Sequence, residues 1–155
     1  MFGSDQVPPR CEFETDKLLI KLDAMVSSDI KVIDNTVTKI VGLIRSGYSS
    51  DEIGDIDIAL REALVNSIIH GNRSDPKEAV RICVALQPDR GVIIVVKDSG
   101  PGFDPSQIPN PVVGQNLLAG HGRGIFLINQ LMEDVRFSFD HGTAIHMRRS
   151  TSSRS

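Results

Sequence analysis

The feature that most constrains this chain is the run Arg61–Gly71, which has the pattern of a buried helix with one polar stripe. Its apolar residues, together with those just before it, recur at helical spacing around most of the circumference, as in a helix buried against other elements. Glu62, Asn66 and His70 nevertheless follow one another at intervals of four, along one line of such a helix. Because an unpaired buried carboxylate costs several kcal/mol, the pattern indicates a functional site at Glu62 and Asn66.

Composition narrows the class of protein. A chain of 155 residues has room for one domain with a sizeable core. Its 17 Lys and Arg against 20 Asp and Glu, with no basic run interleaved with aromatics, argue against a nucleic-acid partner. No apolar run is long enough to span a membrane and the first residues lack a signal-peptide core, so we expect a cytoplasmic protein with no membrane partner. Cys11 and Cys83 form no CxxC unit, and we expect two reduced thiols.

The order of predicted elements indicates the fold class. We expect a strand, a helix starting after Ser27 or Ser28, a long helix from Ser50 to a left-handed stop at Gly71, a strand pair, a third helix and a second strand pair. The ranges are 18–25 for the first strand, 79–86 and 92–97 for the first pair, 122–132 for the third helix, and 135–139 and 144–149 for the last strands. This segregation predicts an α+β two-layer sandwich with helices on one face of a mixed, mostly antiparallel sheet. Residues 1–10 are expected to be a flexible N-terminus, 11–149 the domain and 150–155 a flexible tail.

Two glycine clusters flank a long Pro-rich stretch. The first, 98–104, follows a predicted strand, and the second, 120–125, precedes a predicted helix. Glycine lets the backbone approach a ligand closely, and a helix N-terminus presents free N–H groups to anions. The second cluster is therefore a candidate phosphate cradle to which Arg123 could add charge. Either cluster alone is explained equally well as an ordinary turn.

Taken together, three motifs resemble the Bergerat-type ATP-binding fold shared by gyrase-type ATPases, certain chaperones and histidine kinases. They are a helical Glu-x-x-x-Asn, an Asp-x-Gly-x-Gly after a strand and a Gly-x-Gly before a helix, beginning at Glu62, Asp98 and Gly122. The sequence is most similar in detail to the anti-sigma-factor serine kinases. The resemblance extends from about Leu18 to Arg149.

The resemblance implies a role for each matching residue. Glu62 would act as the general base on the attacking hydroxyl, Asn66 would bind Mg²⁺ that bridges the ATP phosphates, and Asp98 would accept a hydrogen bond from the adenine amino group. The other implied nucleotide contacts are His70 at the site edge, Gly100, Gly102 and Phe103 in the second motif, Gly120, Gly122, Arg123, Gly124 and Ile125 at the phosphates, and Thr143 at the adenine end.

The resemblance also implies an activity and partners. The chain would be a Mg-ATP-dependent protein serine/threonine kinase of the anti-sigma type that phosphorylates an anti-anti-sigma-like protein, binds a sigma factor and forms a homodimer. A second hypothesis is a non-catalytic module in which ATP orders a loop and so controls a protein contact. A third is a piece of a larger sensor kinase. In the first two, residues 104–120 would form a lid over the nucleotide.

Overall fold

The computed structural model describes Pro8 and residues 18–100, 120–139 and 142–151. Three α-helices and five strands lie in these ranges, in the order β1 (Ile20–Ser27), α1 (Ile33–Ile44), α2 (Ser50–Val65), β2 (Ala79–Gln87), β3 (Gly91–Lys97), α3 (Gly120–Leu131), β4 (Glu133–Ser138) and β5 (Ala144–Arg149). A π-helical segment, Asn66–Gly71, continues α2. The predicted contacts Gly102 and Phe103 and most of the predicted lid lie outside the described residues.

The five strands form one sheet in the order β1-β2-β3-β5-β4. Each neighbouring pair is antiparallel. The predicted α+β architecture is confirmed, although the predicted mixed sheet is antiparallel throughout the part that the structure describes. Because β3 and β5 are neighbours that run in opposite directions, the residue after β3 lies opposite the residue before β5.

The helices cover one face of the sheet. The buried side chains of α1 recur at helical spacing, at Ile33, Val37, Ile40, Val41 and Ile44. They form one core cluster with buried residues of α2 and with every second residue of β2 and β3. Helix α2 packs against both α1 and α3. The predicted burial on nearly every side is wrong, however, because Ile58 and Ile69 are 44% and 36% exposed on the side of this helix that no other described element covers.

Side-chain caps mark the start of α2 and the start of the 3₁₀ turn that precedes α1. Ser49 caps α2 through a capping box: its hydroxyl accepts the Glu52 N–H at 3.2 Å and its own N–H donates to the Glu52 carboxylate at 2.9 Å. The 3₁₀ turn before α1 is capped by Asp29, which accepts the Lys31 N–H at 2.9 Å. The predicted cap at Ser27 or Ser28 is therefore wrong, and the Ser28 hydroxyl instead donates to Glu78 O at 2.8 Å.

The C-terminal end of α2 also differs from the prediction. Among the described glycines, only Gly91 and Gly142 have positive φ, so Gly71 is not a left-handed stop. The helix widens into the π-helical segment, and the chain turns through the left-handed residues Arg73 and Ser74. A glycine at position 71 therefore needs another explanation, which its contacts with the site provide.

The face of the sheet away from the helices carries a small second cluster of Cys83, Val95 and Ala144. Cys83 is disulfide-bonded, which corrects the expectation of two reduced thiols. Within the described ranges, none of the helices combines the length and apolarity that a membrane span requires.

Candidate functional site

Glu62 and Asn66 are neighbours at the end of α2, where the helix passes into its π-helical segment. The Asn66 N–H donates to both Glu62 O and Ala63 O, which keeps the two side chains one helical turn apart. Asn66 is 8% exposed, and its Nδ2 has no hydrogen-bond partner in the described part of the chain. Glu62 is half-buried rather than buried. A π-helical segment is often found at a functional site.

Arg61 does not neutralise Glu62, although the two residues are adjacent in sequence. Its guanidinium donates to Asp57 Oδ1 at 2.6 Å and also pairs with Asp34. These hydrogen bonds raise the pKa of Arg61 above its ordinary value. Within the described residues the Glu62 carboxylate has no ion pair and no hydrogen bond, so it is available to accept a proton.

Asp98 follows β3 and lies opposite Thr143, which precedes β5. The Asp98 N–H donates to Thr143 O at 2.9 Å. One carboxylate oxygen, Oδ1, accepts the N–H groups of Thr143 and Gly100, each at 3.1 Å. The second oxygen, Oδ2, is left to accept a hydrogen bond from a ligand.

Burial raises the pKa of Asp98 to about 6, although the backbone hydrogen bonds from Thr143 and Gly100 lower it. The side chain is 3% exposed, so removal from water dominates over two good hydrogen bonds. A strongly shifted carboxyl in a buried loop is a common property of functional sites.

Close backbone approaches join the Asp98 loop to the end of the α2 helix. A Cβ on Gly71 would lie 2.1 Å from Asp98 Oδ2, and a Cβ on Gly100 would lie 1.7 Å from Gly71 O. Any side chain at either position would collide, so both glycines are required by packing. Gly142, at φ +109°, allows the chain to enter β5 close to Asp98 O. The π-helical segment that follows the first motif is thus in direct contact with the second motif.

Helix α3 brings the third motif to Glu62 and Asn66. A Cβ on Gly124 would lie 2.8 Å from Glu62 Oε2 and 3.5 Å from Asn66 Nδ2. Helix α3 begins at Gly120, two residues before the predicted start at Gly122. Gly120 and Gly122 therefore lie in its first turn, where N–H groups are not used by the helix, while Gly124 and the buried Ile125 come after that turn.

The structure thus brings together most of the predicted contacts that it describes. Glu62, Asn66 and Gly124 meet at one end, and Asp98, Gly100 and Thr143 meet at the other, with Gly71 between them. His70 is exposed in the π-helical segment. Arg123 lies in the first turns of α3. Their roles in binding stay predictions.

Sequence reasoning missed two features of the site. The first is the contact of Gly71 with Asp98. The sequence predicts only a helix stop at Gly71, because a glycine after a helical pattern usually marks one. Asn72 was given no role, although it is 4% exposed. An asparagine directly after Glu-x-x-x-Asn-x-x-x-His-Gly is the only sequence signal that could have indicated it.

Orphaned polar atoms and ligand chemistry test whether the site fits a metal and a nucleotide. Asn66 Nδ2 and Thr143 Oγ1 are buried without a partner within the described ranges, as expected where a ligand supplies partners. The Asn66 amide oxygen is a ligand of the type that Mg²⁺ accepts. The described residues contain no group of three His, Cys, Asp or Glu that could hold a metal. The site fits Mg²⁺ that arrives with phosphate oxygens.

Comparison with known proteins agrees with this geometry. Residues 33–149 match the family model of the histidine kinase-like ATPase domain. The serine-protein kinase RsbW of Bacillus cereus strain AH187 is 35% identical over 112 residues, which cover 66% of this chain and 67% of that protein. RsbW of Bacillus licheniformis is 32% identical over 111 residues, covering 66% and 68%. The chain therefore belongs to the histidine kinase-like ATPase family and, within it, to the RsbW family of serine-protein kinases.

Proposed function

We propose that the chain transfers the γ-phosphoryl group of Mg-ATP to a serine or threonine of an anti-anti-sigma-like protein. The observation that carries the proposal is the contact of Gly124 with both Glu62 and Asn66, joined through Gly71 to the buried Asp98. Phosphoryl transfer depends on positioning and charge neutralisation, which a carboxylate, an amide oxygen, an α-helix N-terminus and a buried acceptor for the adenine could together supply.

Asp98 would hold the adenine ring in place. Its Oδ1 is occupied by the N–H groups of Gly100 and Thr143, so Oδ2 is the oxygen that can accept the adenine amino hydrogen. The unpartnered Thr143 Oγ1 would supply a second polar contact at this end. Because a buried acceptor left unpaired is costly, such a site would discriminate against a base that lacks the amino group.

Asn66 would hold the metal at the phosphate end, while the first turn of α3, with Gly120, Gly122 and Arg123, would bind phosphate oxygens through free N–H groups. When bound, Mg²⁺ would neutralise phosphate charge and orient the transferred group. Since the described part of the chain has no cluster of three His, Cys, Asp or Glu that could hold a metal, affinity for the ion should depend on the nucleotide.

Glu62 would act on the acceptor hydroxyl. Its carboxylate, free of Arg61, would accept the hydroxyl proton as the serine oxygen forms a bond to the γ-phosphorus, and the bond from that phosphorus to the departing ADP oxygen would break. A general base contributes roughly 10²–10⁴-fold to such a rate. This free carboxylate favours a kinase over a non-catalytic ATP-gated module, which needs no base.

The proposed partners are the anti-anti-sigma-like substrate and a sigma factor, which implies that the protein works in the cytoplasm. The relatives are named serine-protein kinases, which supports a protein serine as the phosphoryl acceptor. Cytosolic disulfides are rare, since cellular thiols reduce them. The Cys83 disulfide would persist there only if it is shielded, and Cys83 is 0% exposed.

Transfer of labelled phosphate from γ-labelled ATP to anti-anti-sigma-like proteins encoded near this chain tests the proposal. We expect wild-type protein to label one of them at a serine or threonine. Glu62→Gln removes the base with little change of shape and should lower the rate by roughly 10²–10⁴-fold while ATP affinity stays within about threefold. Full transfer by Glu62→Gln would exclude the base assignment. ATP binding without transfer to any partner would favour the ATP-gated module.

We also propose a homodimer through the open edge of the sheet. Strand β1 is an edge strand, and between it and α1 lies a cavity of about 640 Å³, lined mainly by apolar side chains that include Leu22, Val26 and Leu43. An apolar edge of this kind is a template for pairing with a second strand. No third layer covers this groove within the described residues.

The β1 sequence is complementary to itself in one antiparallel register. If Leu22 pairs with Leu22 of the second copy, Lys21 lies opposite Asp23, and Leu19 lies opposite Met25. Leu19 and Met25 are 63% and 44% exposed, so the pairing would cover two of the exposed apolar side chains. Opposite charges facing each other across strands stabilise such a pair.

Molar mass from light scattering tests the dimer. Lys21→Glu would place two carboxylates opposite each other and should shift the protein from dimer toward monomer. The matched change Lys77→Glu, in an exposed turn, should leave the mass unchanged. A monomeric wild type, or a Lys21→Glu variant as dimeric as the control, would rule out this interface.

A further inference from the structure

Asn72 lies directly after the π-helical segment, and its side-chain amide makes three hydrogen bonds. Nδ2 donates to Ser28 Oγ at 2.8 Å and to Ala79 O at 3.0 Å. Oδ1 accepts the Ser99 N–H at 2.9 Å. The residue is 4% exposed, so both donors and the carbonyl oxygen are satisfied away from water.

These bonds join three separate parts of the chain. Ser28 follows β1, Ala79 begins β2 and Ser99 lies in the loop after β3. Ser28 is 1% exposed, and both its N–H and its hydroxyl reach Glu78 O, at 3.2 Å and 2.8 Å. The donor side of Asn72 is therefore anchored to the sheet, and the acceptor side holds the loop.

The hydrogen bond from Ser99 N–H to Asn72 Oδ1 lies beside Asp98, the predicted acceptor for the adenine amino group. Ser99 follows Asp98, and Gly71 precedes Asn72. A Cβ on Gly71 would lie 2.1 Å from Asp98 Oδ2, which shows how closely the two segments are pressed together. Fixing Ser99 N to Asn72 Oδ1 thus sets the position of Asp98 relative to the end of the helix that carries Asn66.

We infer that Asn72 is a positioning residue for base recognition: through Ser99 N–H it holds the Asp98 carboxylate where the adenine amino group meets it. The inference rests on the proposed role of Asp98. It predicts that loss of the Asn72 carbonyl oxygen weakens selection for adenine, whereas loss of an anchor on the donor side weakens only the fold. A residue with a structural role alone would change stability without changing selectivity.

The ratio of affinities for ATP and inosine triphosphate separates these roles, because inosine carries a carbonyl where adenine carries the amino group. Wild-type protein should prefer ATP by at least about tenfold. Asn72→Ala should lower that preference at least about threefold. The matched control Ser28→Ala, which removes one donor-side partner, should lower the melting temperature and keep the wild-type preference. All titrations are made well below each melting temperature.

Asn72→Asp provides a second test that does not depend on the folding of the alanine variant. It keeps an acceptor for Ser99 N–H but loses both donors, so it should be less stable and still keep the ATP preference within about twofold of wild type. An unchanged preference in Asn72→Ala, or a lost preference in Asn72→Asp, would overturn the positioning role. A wild-type protein without preference for ATP would instead refute the proposed role of Asp98 itself.

Discussion

Asp98 is a carboxyl group that the fold keeps ionised at an energetic cost. Burial raises its pKa from 3.8 to about 6, so at neutral pH the charged form is less favourable in the folded than in the unfolded chain. A shift of this size corresponds to about 3 kcal/mol. Retaining a group that destabilises the empty protein is expected where the group has a ligand to bind.

The difference in stability between wild-type protein and Asp98→Asn should therefore depend on pH in a defined way. Between about pH 4 and 6 the folded wild-type protein binds more protons than the unfolded chain, so its stability falls as pH rises through that window and levels off above it. The ligand-free variant should be more stable than wild type by up to about 3 kcal/mol at pH 7.5, with the gain vanishing near pH 4. Urea unfolding at a series of pH values measures this difference. A variant less stable than wild type at every pH would show that ionised Asp98 stabilises the fold.

Gly124 should act through Glu62. A Cβ there would lie 2.8 Å from Glu62 Oε2, the movable end of a long side chain, so Gly124→Ala should fold and displace the carboxylate. We expect phosphotransfer to fall about tenfold or more, with ATP affinity changed much less. Gly54→Ala, in open space within α2, is the matched control and should add roughly 0.5–1 kcal/mol of stability without changing transfer. Equal kinetics in the two variants would argue against a catalytic Glu62.

Among single residues, the sequence predicts site residues best where a polar residue interrupts or ends an apolar run. Glu62 and Asn66 are polar residues within an apolar helical run, Asp98 follows an apolar strand, and the structure places each in the candidate site. The roles of Gly71 and Asn72 were not predicted, because they depend on contacts with the loop after β3, which no local sequence pattern encodes. The half-buried state of Glu62 also follows from the position of α3, not from the helix that carries it.

The helices and strands were likewise predicted well where local sequence sets their ends, and poorly where contacts with other elements do. The start of α2 was predicted at Ser50 and the last strand at 144–149, since a capping serine and an alternating apolar pattern are local signals. The π-helical end of α2 was not predicted, because a helix widens in response to its neighbours. The start of α3 was misplaced by two residues, since three closely spaced glycines give no unique N-terminus.

Ser49→Ala tests the local signal at the start of α2. Removing the hydroxyl leaves the Glu52 N–H without its cap and should lower the free energy of unfolding by about 1 kcal/mol. Ser50→Ala is the matched control, since its helix position is exposed and alanine is the better helix former. Chemical denaturation measures both variants. A cost that is equal in the two would mean that the capping box contributes nothing beyond helix propensity.

At the scale of the whole molecule, the site is assembled from segments distant in sequence. The C-terminal ends of α2 and β3, the first turns of α3 and the residue before β5 contribute to it, and Gly71 and Gly124 are where these elements touch. Such a site exists only in the folded state, so a nucleotide bound there should stabilise the whole domain by mass action. The antiparallel sheet fixes the adenine end through the pairing of β3 with β5, while α2 and α3 fix the phosphate end.

Calorimetric titration of ATP, with Mg²⁺ and with a chelator, into wild-type protein and Asn66→Ala tests the central claim most directly. The claim is that one site holds the nucleotide and that Asn66 holds its metal. Wild-type protein should bind one ATP per chain, more tightly with Mg²⁺ than without. Asn66→Ala should lose most of that gain, because the metal would no longer contact the protein through its amide ligand. Absence of ATP binding by wild type, or an equal gain from Mg²⁺ in the variant, would contradict the account.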